Sequence, residues 1–395
     1  MHDLLEKRVL VPLIAIVLMQ SMIVMATYGI TVIAPDAAGD VGIPPEWIGY
    51  LFAVIYAFAS VSGLMSGWMM AHWGAAWAFR AMMVGVVLGS LAFIGAHPWL
   101  AFLSAAMLGL ATGPMNPVGS VVLVRISPPG WQAFLFSLKQ CATPLGGILA
   151  GLILPPLALI WGWQAAFSVM PVLALVFFII AGIGGLGGAT KSAMGSKSSG
   201  SMMGSLSLSL AGRQVAATSV AGALFAGSQV GLLAYLAVYL WREAGMSMTE
   251  AGYAFAIINM AGVIARIALG SVAERHVETA LLLVISAAGM GLGVIAIANF
   301  SADWPLWAMY LAIAVTGAFG NGWVGLLFAE LARLAPEGCA AEVTGGGQVF
   351  MYGGVCATPL LCGAALDWTG QYTAVFTLLA ALAFVAVAVL EWGRR

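Results

Sequence analysis

Twelve long apolar runs, joined by short polar connections, constrain this chain more than any other feature of its sequence. A helix needs about 20 apolar residues to cross the hydrocarbon core of a bilayer. Charged residues make up 7% of the 395 positions, whereas soluble domains have about 25%. The sequence therefore predicts an all-α integral membrane protein with twelve transmembrane helices. These spans, numbered 1 to 12, are predicted near residues 9–34, 47–71, 78–96, 101–125, 133–157, 166–187, 214–241, 251–273, 280–300, 305–333, 343–366 and 372–392.

Charge and residue pattern argue against several other classes of protein. The net charge is −1, so the charge balance gives no indication of a nucleic-acid partner. The four cysteines lack the spacing of a metal site or of a secreted disulfide framework. The sequence contains no Ser/His/Asp, metal-ligand or paired-carboxylate pattern, and its four histidines fall in predicted loops or at helix ends. We therefore expect no enzyme activity, no metal and no cofactor.

A polar gap after span 6 divides the spans into six and six. Residues 189–213 contain eight serines between Ser192 and Ser209, mixed with Gly and Met. Such a segment buries too little apolar surface to order itself. We therefore expect a cytoplasmic linker at 189–213 between an N-terminal six-helix bundle at 1–188 and a C-terminal six-helix bundle at 214–395.

The positions of the basic residues predict the orientation of the chain. If the N-terminus is cytoplasmic, eleven of the fourteen Lys and Arg residues fall in inner connections or at the ends of the chain, and Arg242 alone falls outside. The other two, Lys139 and Arg266, lie within spans. Because inner loops carry the excess of Lys and Arg, we expect a multi-pass protein of the cell inner membrane with both termini cytoplasmic.

Short repeats relate the two halves. Span 5 contains Cys141-Ala-Thr-Pro-Leu145, and span 11, the fifth span of the second half, contains Cys356-Ala-Thr-Pro-Leu360. The loop after span 8 begins Gly270-Ser-Val-Ala-Glu274-Arg275, and the loop after span 2 keeps the two glycines of the same pattern but has lost its charges. Two copies of one loop pattern, each after the second span of a half, predict two pseudo-symmetric bundles.

The loop after span 8 resembles the G-x-L-A-D-R-x-G-R signature of the major facilitator superfamily, with Glu274 in place of Asp. The resemblance implies a monomeric secondary transporter that works by alternating access. It also implies a central cavity surrounded by spans 1, 4, 7 and 10, and gating contacts at Gly270, Glu274 and Arg275. The arginine of the drug/proton antiport signature is missing from Gly109-Leu-Ala-Thr-Gly113 in span 4, which makes drug antiport the less favoured function.

Lys139 is the residue that most directly indicates a substrate. It lies about two turns into span 5, and a lysine at a helix centre costs roughly 2.5–3.5 kcal/mol on insertion scales. An anionic solute in a water-filled cavity would offset that cost. Alternatively, Lys139 extends back to the headgroups and has no other role.

Polar residues on other spans are candidates to line the cavity. Gln20 and Thr27 on span 1 share one face, with Tyr28 beside it, and Asn259 and Arg266 on span 8 are seven residues apart and therefore aligned. Each of these residues has the alternative of bonding only to a neighbouring helix or to its own backbone. The predicted substrate-binding residues are Lys139, Gln140, Gln20, Thr27, Tyr28, Asn116, Gln229, Asn259, Arg266, Asn321 and Gln348.

Glu330 is the acid best placed inside a span and is the candidate proton carrier; its alternative is a local pair with Arg333. We expect a symporter that moves a small organic anion and couples this movement to protons. The alternatives are a multidrug or metabolite efflux antiporter, and a non-transporting sensor or assembly factor of the same fold.

Overall fold

The computed structural model of the chain describes residues 7–128, 132–183, 206–273, 277–337 and 339–395. Within these ranges the ordered elements are helical, and twelve helical stretches are long and apolar enough to cross a membrane. They lie at Arg8–Val41, Pro45–Leu64, Gly74–Ile94, Pro98–Ile126, Leu138–Trp161, Trp163–Ala181, Arg213–Arg242, Met248–Leu269, Thr279–Ala298, Leu306–Leu334, Val343–Thr369 and Tyr372–Arg394. The prediction of an all-α membrane protein with twelve spans is confirmed.

Several spans consist of more than one helix. The helices of the first half are α1 (Lys7–Val41), α2 (Ile48–Leu64), α3 (Ser66–His72), α4 (Gly74–Ile94), α5 (Pro98–Thr112), α6 (Met115–Ile126), α7 (Gln132–Gln140), α8 (Ala142–Trp161), α9 (Trp163–Phe167) and α10 (Val169–Ile183). Those of the second half are α11 (Arg213–Arg242), α12 (Met248–Ala273), α13 (Thr279–Ala298), α14 (Leu306–Gly322), α15 (Val324–Leu334), α16 (Ala340–Thr369) and α17 (Tyr372–Arg394).

Span 1 extends further than its hydropathy predicted. The sequence placed its end near Ala34, but α1 continues to Val41 and includes Asp40. The Asp40 carboxylate accepts hydrogen bonds from Trp163 Nε1 at 2.7 Å and from Gln164 Nε2 at 3.2 Å. These two bonds to α9 hold the last turns of α1, which are too polar to count as part of an apolar run.

The chain divides into two compact units. Unit 1 contains residues 1–45 and 54–197, and unit 2 contains residues 46–53 and 198–395. Residues 184–205, most of the predicted linker, lie outside the described ranges. Within unit 2, Tyr50 donates a hydrogen bond to Asp367, and Glu46 forms an ion pair with Arg242. These contacts account for the grouping of residues 46–53 with the second half.

Close helix packing in both units depends on glycine. In unit 1, a Cβ at Gly146 of α8 would lie 2.4 Å from the Ser21 carbonyl oxygen of α1. In unit 2, a Cβ at Gly354 of α16 would lie 2.0 Å from the Ala223 carbonyl oxygen of α11. Small residues let helices approach closely in lipid, so both glycines fix the distance between the central helices of their unit.

Spans 4, 5 and 10 are interrupted near their middle. In span 4, Pro114 lies between α5 and α6 and has no N–H to continue the helical ladder. In span 5, the break falls at Cys141, and Pro144 leaves the Gln140 carbonyl without its usual i+4 donor. In span 10, Trp323 separates α14 from α15, and its indole Nε1 donates to the Gly320 carbonyl at 2.9 Å. In spans 4 and 10, side chains reach backbone carbonyl groups beside these breaks.

Candidate functional site

Lys139 lies at the end of α7 and points into unit 1. The residue is buried, with only 2% of its surface exposed. The ammonium Nζ donates to the Asn116 carbonyl oxygen at 3.1 Å and to Ser120 Oγ at 2.8 Å, and it lies 5.7 Å from the ring centroid of Phe136. In this structure the ammonium therefore contacts span 4 and does not extend out of the unit.

The sequence explains why α6 can receive the ammonium. Asn116 and Ser120 are four residues apart in α6, so their side chains share one face. After the break at Pro114, α6 begins at Met115, one residue before Asn116. As a result, the first two turns of this short helix present the Asn116 carbonyl oxygen and the Ser120 hydroxyl together to Lys139.

Further polar groups surround the lysine. Gln20 of α1 is 1% exposed and donates from Nε2 to the Met115 carbonyl at 2.6 Å. A Cβ at Gly119 would lie 2.7 Å from Gln20 Nε2 and 3.6 Å from Lys139 Cε, so both side chains pack over this glycine. The side-chain oxygen Oδ1 of Asn116 is buried and has no hydrogen-bond partner among the described residues. We call Gln20, Asn116, Gly119, Ser120 and Lys139 the lysine cluster.

No carboxylate among the described residues forms an ion pair with Lys139. Two neutral oxygens stabilise the ammonium but leave its positive charge uncompensated. Its position in the last turn of α7 adds a favourable interaction with the helix dipole, typically 0.3–1 kcal/mol. Together with the two hydrogen bonds, each worth roughly 1.5–3 kcal/mol for a charged group, the dipole can offset the roughly 2.5–3.5 kcal/mol cost of a lysine at the centre of a membrane helix, but none of these contacts supplies a negative charge. The lysine cluster can therefore bind a carboxylate or another small anion.

Other predicted residues of span 1 extend the same buried face. Thr27 bonds to the Ile23 carbonyl at 3.0 Å, and its Oγ1 lies 3.3 Å from Thr112 Oγ1 of α5. Tyr28 is 3% exposed, and Thr31 is fully buried with no hydrogen-bond partner for Oγ1 in the described part of the chain. The alignment of Gln20 and Thr27 in the interior, expected from their spacing, is observed, and Thr31, four residues after Thr27, is buried as well.

Unit 2 has its own intramembrane cation. Arg266 of α12 is half-buried and donates from Nε to the Asn321 carbonyl at 2.8 Å. The Asn321 side chain in turn donates from Nδ2 to the Ile258 carbonyl at 3.2 Å. Asn321 is the second-last residue of α14, so Arg266 interacts with the negative end of that helix dipole. Both intramembrane cations thus bind a backbone carbonyl beside a break in another span. Lys139 of span 5 binds a carbonyl of span 4, and Arg266 of span 8 binds a carbonyl of span 10.

Gln229 forms a side-chain hydrogen bond that the sequence did not predict. Its Oε1 accepts a hydrogen bond from Trp323 Nε1 at 3.1 Å. The Trp323 ring is fully buried and stacks on Phe225 with centroids 4.7 Å apart. Gln229 therefore contributes to positioning the break in span 10, whatever further role it has.

Glu330, the candidate proton carrier, is paired. It is 3% exposed and accepts two hydrogen bonds from Arg333, from Nε at 2.9 Å and from Nη2 at 2.6 Å. Glu330 and Arg333 line a cavity of about 320 Å³ that is also lined by Glu278, Glu391 and Arg394. The local pair left open by the sequence is present, so Arg333 compensates the charge of Glu330 in this structure.

The remaining predicted residues have less specific surroundings. Gln140 and Gln348 are half-buried. Asn259 is buried and bonds to the Phe255 carbonyl of its own helix at 2.8 Å. Gly270 lies in α12, whereas Glu274 and Arg275, the other two residues of the predicted gating loop, lie outside the described ranges.

Residues that sequence reasoning missed are Ser120, Gly119 and Trp323. The i, i+4 spacing of Asn116 and Ser120 was a usable signal for the first of these. Among the described residues, no group of three or more His, Cys, Asp or Glu side chains is arranged to hold a metal ion.

Comparison with known proteins agrees with this architecture. Among curated sequences, 152 residues are 22% identical to the hexuronate transporter of Bacillus subtilis strain 168, a match that covers 38% of this chain and 36% of that transporter. A solved D-xylose–proton symporter has a TM-score of 0.78 at 13% identity, with 97% of each chain covered. A POT family transporter in complex with 5-aminolevulinic acid has a TM-score of 0.76 at 14% identity, with 96% of this chain and 95% of that chain covered.

A family model extends over most of the chain. The model of the Major Facilitator Superfamily matches residues 16–352, a range that contains most of span 1, all of spans 2 to 10 and part of span 11. Together with the twelve helical spans and the likeness to solved transporters, this match confirms the resemblance inferred from the loop after span 8. The chain belongs to the major facilitator superfamily, and it is a membrane transporter and not an enzyme.

Proposed function

We propose that this protein transports a small organic anion, with a carboxylate as its charged group, across the cell inner membrane by alternating access. The observation that carries the proposal is the buried ammonium of Lys139, which is held by two neutral oxygens. A solute carboxylate supplies the compensating charge that the described residues of unit 1 do not. A neutral sugar would supply no negative charge to pair with the buried ammonium.

The lysine cluster supplies a suitable donor set for a carboxylate. Lys139 offers an ammonium proton beyond the two that bond to Asn116 and Ser120. The unpartnered Asn116 Oδ1 is an acceptor for a hydroxyl of the same solute. A small hydroxylated acid, such as a sugar acid, combines these two groups.

The curated relative supports the same class of solute. A hexuronate is a sugar carrying a carboxylate, and the B. subtilis relative is a hexuronate transporter. The match spans about a third of that transporter's length, so the substrate class remains our proposal for this chain. Gln140, Thr27, Tyr28, Gln229, Asn259, Arg266, Asn321 and Gln348 remain predictions as substrate contacts.

We infer that transport is coupled to protons by symport. Glu330 is the buried acid of unit 2 on which this inference rests, and Arg333 neutralises it in the present conformation. In this scheme protonation replaces Arg333 as the partner of the carboxylate. The structural likeness to a proton symporter shows a shared fold.

Matched pairs of compounds test the proposed substrate class. The melting temperature of the purified protein is measured with hexuronates and the corresponding neutral hexoses, with other small carboxylates and their amides, and with cationic drugs. Stabilisation by carboxylates but not by their neutral partners is expected. Stabilisation by cationic drugs alone would point to multidrug efflux, and stabilisation by the neutral hexoses alone would remove the role of Lys139 as an anion contact.

A further inference from the structure

An open groove lies on the surface of unit 1, away from the lysine cluster. It has a volume of about 640 Å³ and is lined by His72, Trp73, Trp77, Arg80, Ala81, Val84 and Phe178. We call it the tryptophan groove. It is formed by the end of α3, the first three turns of α4 and a side chain of α10.

The two tryptophan side chains of the groove are exposed, although they are large and apolar, and Phe178 is half-buried. The exposed fractions are 44% for Trp73 and 57% for Trp77. Trp68, next to the groove, is 48% exposed and packs against both His72 and Trp73, with centroids 4.8 Å and 5.1 Å away. Exposed tryptophans in a membrane protein mark the interface between headgroups and hydrocarbon, and the groove therefore opens toward lipid.

Arg80 is the cation of the groove. Its guanidinium lies between two rings, 4.8 Å from the centroid of Trp77 and 5.2 Å from that of Phe178, and its Nε donates to the Phe178 carbonyl at 3.3 Å. Within the described part of the chain no carboxylate forms an ion pair with Arg80. None of the residues that line the groove is acidic. The rings thus fix the position of the guanidinium but leave its charge uncompensated.

The position of Arg80 along α4 is compatible with contact between its guanidinium and a lipid phosphate. It is the seventh residue of α4, about 9 Å along the helix from Gly74 at 1.5 Å per residue. A bilayer is about 40–45 Å thick with a hydrocarbon core of about 30 Å, so each headgroup layer is roughly 5–8 Å deep. If α4 begins at the membrane surface, Arg80 lies where headgroups meet acyl chains.

We propose that the tryptophan groove binds one anionic phospholipid, with its phosphate on Arg80, its headgroup beside Trp77 and an acyl chain along Ala81 and Val84. Trp77, Arg80, Ala81 and Val84 recur at the i, i+3, i+4, i+7 spacing of a single helix face. With α4 beginning at the membrane surface, Trp77 lies on the headgroup side of Arg80, and the apolar residues Ala81 and Val84 lie on its acyl-chain side. Charge complementarity selects an anionic lipid over a zwitterionic one. The orientation predicted from the Lys and Arg distribution places this groove on the cytoplasmic side.

The groove combines a cation, Arg80, with an apolar surface, and a phospholipid is the ligand that fits both. A free phosphate or sugar phosphate has no group to cover Ala81 and Val84, whereas an acyl chain covers both. A lipid at this place would rest on the junction between α3 and α4, the loop where the charged residues of the family signature are missing. The proposal does not depend on which solute is transported.

Native mass spectrometry of the detergent-solubilised protein tests the proposal with defined lipids. Phosphatidylglycerol and phosphatidylcholine of the same acyl chains are titrated separately, and sn-glycerol 3-phosphate is the headgroup-only probe. We expect one phosphatidylglycerol to bind more tightly than phosphatidylcholine, with no displacement by glycerol phosphate. Equal binding of the two lipids to the wild-type protein, or displacement of phosphatidylglycerol by glycerol phosphate, would overturn the proposal.

Variants locate the site. Arg80→Gln should weaken phosphatidylglycerol binding by roughly fivefold, the factor expected for one basic residue near an anionic surface, and Trp77→Leu should weaken both lipids. The matched control is Arg213→Gln, because Arg213 also stacks on an indole, with its guanidinium 5.5 Å from the Trp392 centroid. It should leave the tightest site unchanged. An equal loss in Arg80→Gln and Arg213→Gln would show charge attraction without a site, and would contradict the proposal.

Discussion

Replacing Lys139 with methionine distinguishes an anion-binding lysine from a structural one. Methionine has a similar length and no charge, so the change removes the ammonium and its bonds to Asn116 and Ser120. Ser120 follows Asn116 by four residues in α6, and its hydroxyl can therefore bond to the carbonyl that the lysine releases. Removal of an intramembrane lysine also recovers part of its cost of about 2.5–3.5 kcal/mol. We expect the melting temperature to stay the same or rise.

Binding should respond in the opposite direction. If Lys139 pairs with a solute carboxylate in a site with little water, its removal should weaken binding by about 2–5 kcal/mol, or at least 30-fold. The assay is binding and uptake of the stabilising carboxylate by purified variants, the uptake being measured in proteoliposomes. Wild-type affinity in Lys139→Met would refute the anion site in unit 1.

Two further variants separate charge from shape. Lys139→Arg keeps the charge but carries a larger planar group, and the lysine Cε already lies only 3.6 Å from where a Cβ on Gly119 would be. We expect it to lose most of the binding. Ser120→Ala removes one acceptor and keeps the ammonium, so its loss should be much smaller. A loss in Ser120→Ala equal to that in Lys139→Met would assign the effect to the hydrogen-bond network and not to the charge.

Three other predictions follow from the structure. Gly119→Ala places a methyl group 2.7 Å from Gln20 Nε2, so it should cost about 1–3 kcal/mol of stability and weaken solute binding. The control is Gly325→Ala, where the added methyl group has nothing within 4 Å, and it should lower neither the melting temperature nor the affinity. Glu330→Gln should abolish proton-driven accumulation in proteoliposomes but preserve solute exchange; loss of both would make the Glu330 pair structural. Reporter fusions after Lys197 and at Arg395 should both report cytoplasm, and an external signal from either would contradict the predicted orientation.

Hydropathy was sufficient to predict the spans because each needs a long apolar run, whatever it packs against. The same criterion failed at the end of span 1. The turns up to Val41 contain Asp40, and what holds them is the pair of bonds from α9. Those bonds join residues more than 120 positions apart, so the linear sequence carries no signal for them.

The candidate site was partly predictable. An intramembrane lysine is costly and therefore conspicuous in the sequence, and the spacing of Gln20 and Thr27 showed their common face. The sequence did not show which face of span 4 meets span 5, and that packing makes Ser120 a partner of Lys139. It likewise did not show that Gln229 bonds to Trp323, 94 residues away.

The central claim, that the transported solute is a carboxylate, is tested most directly by uptake into proteoliposomes that contain only this protein. A labelled hexuronate and the corresponding neutral hexose are compared at equal concentration, with and without an imposed inward proton gradient. We expect saturable uptake of the hexuronate, or of another carboxylate that stabilises the protein, at a faster rate with the gradient. We expect no uptake of the hexose above that of empty liposomes. Uptake of the neutral hexose at the same rate as the acid would contradict the central claim.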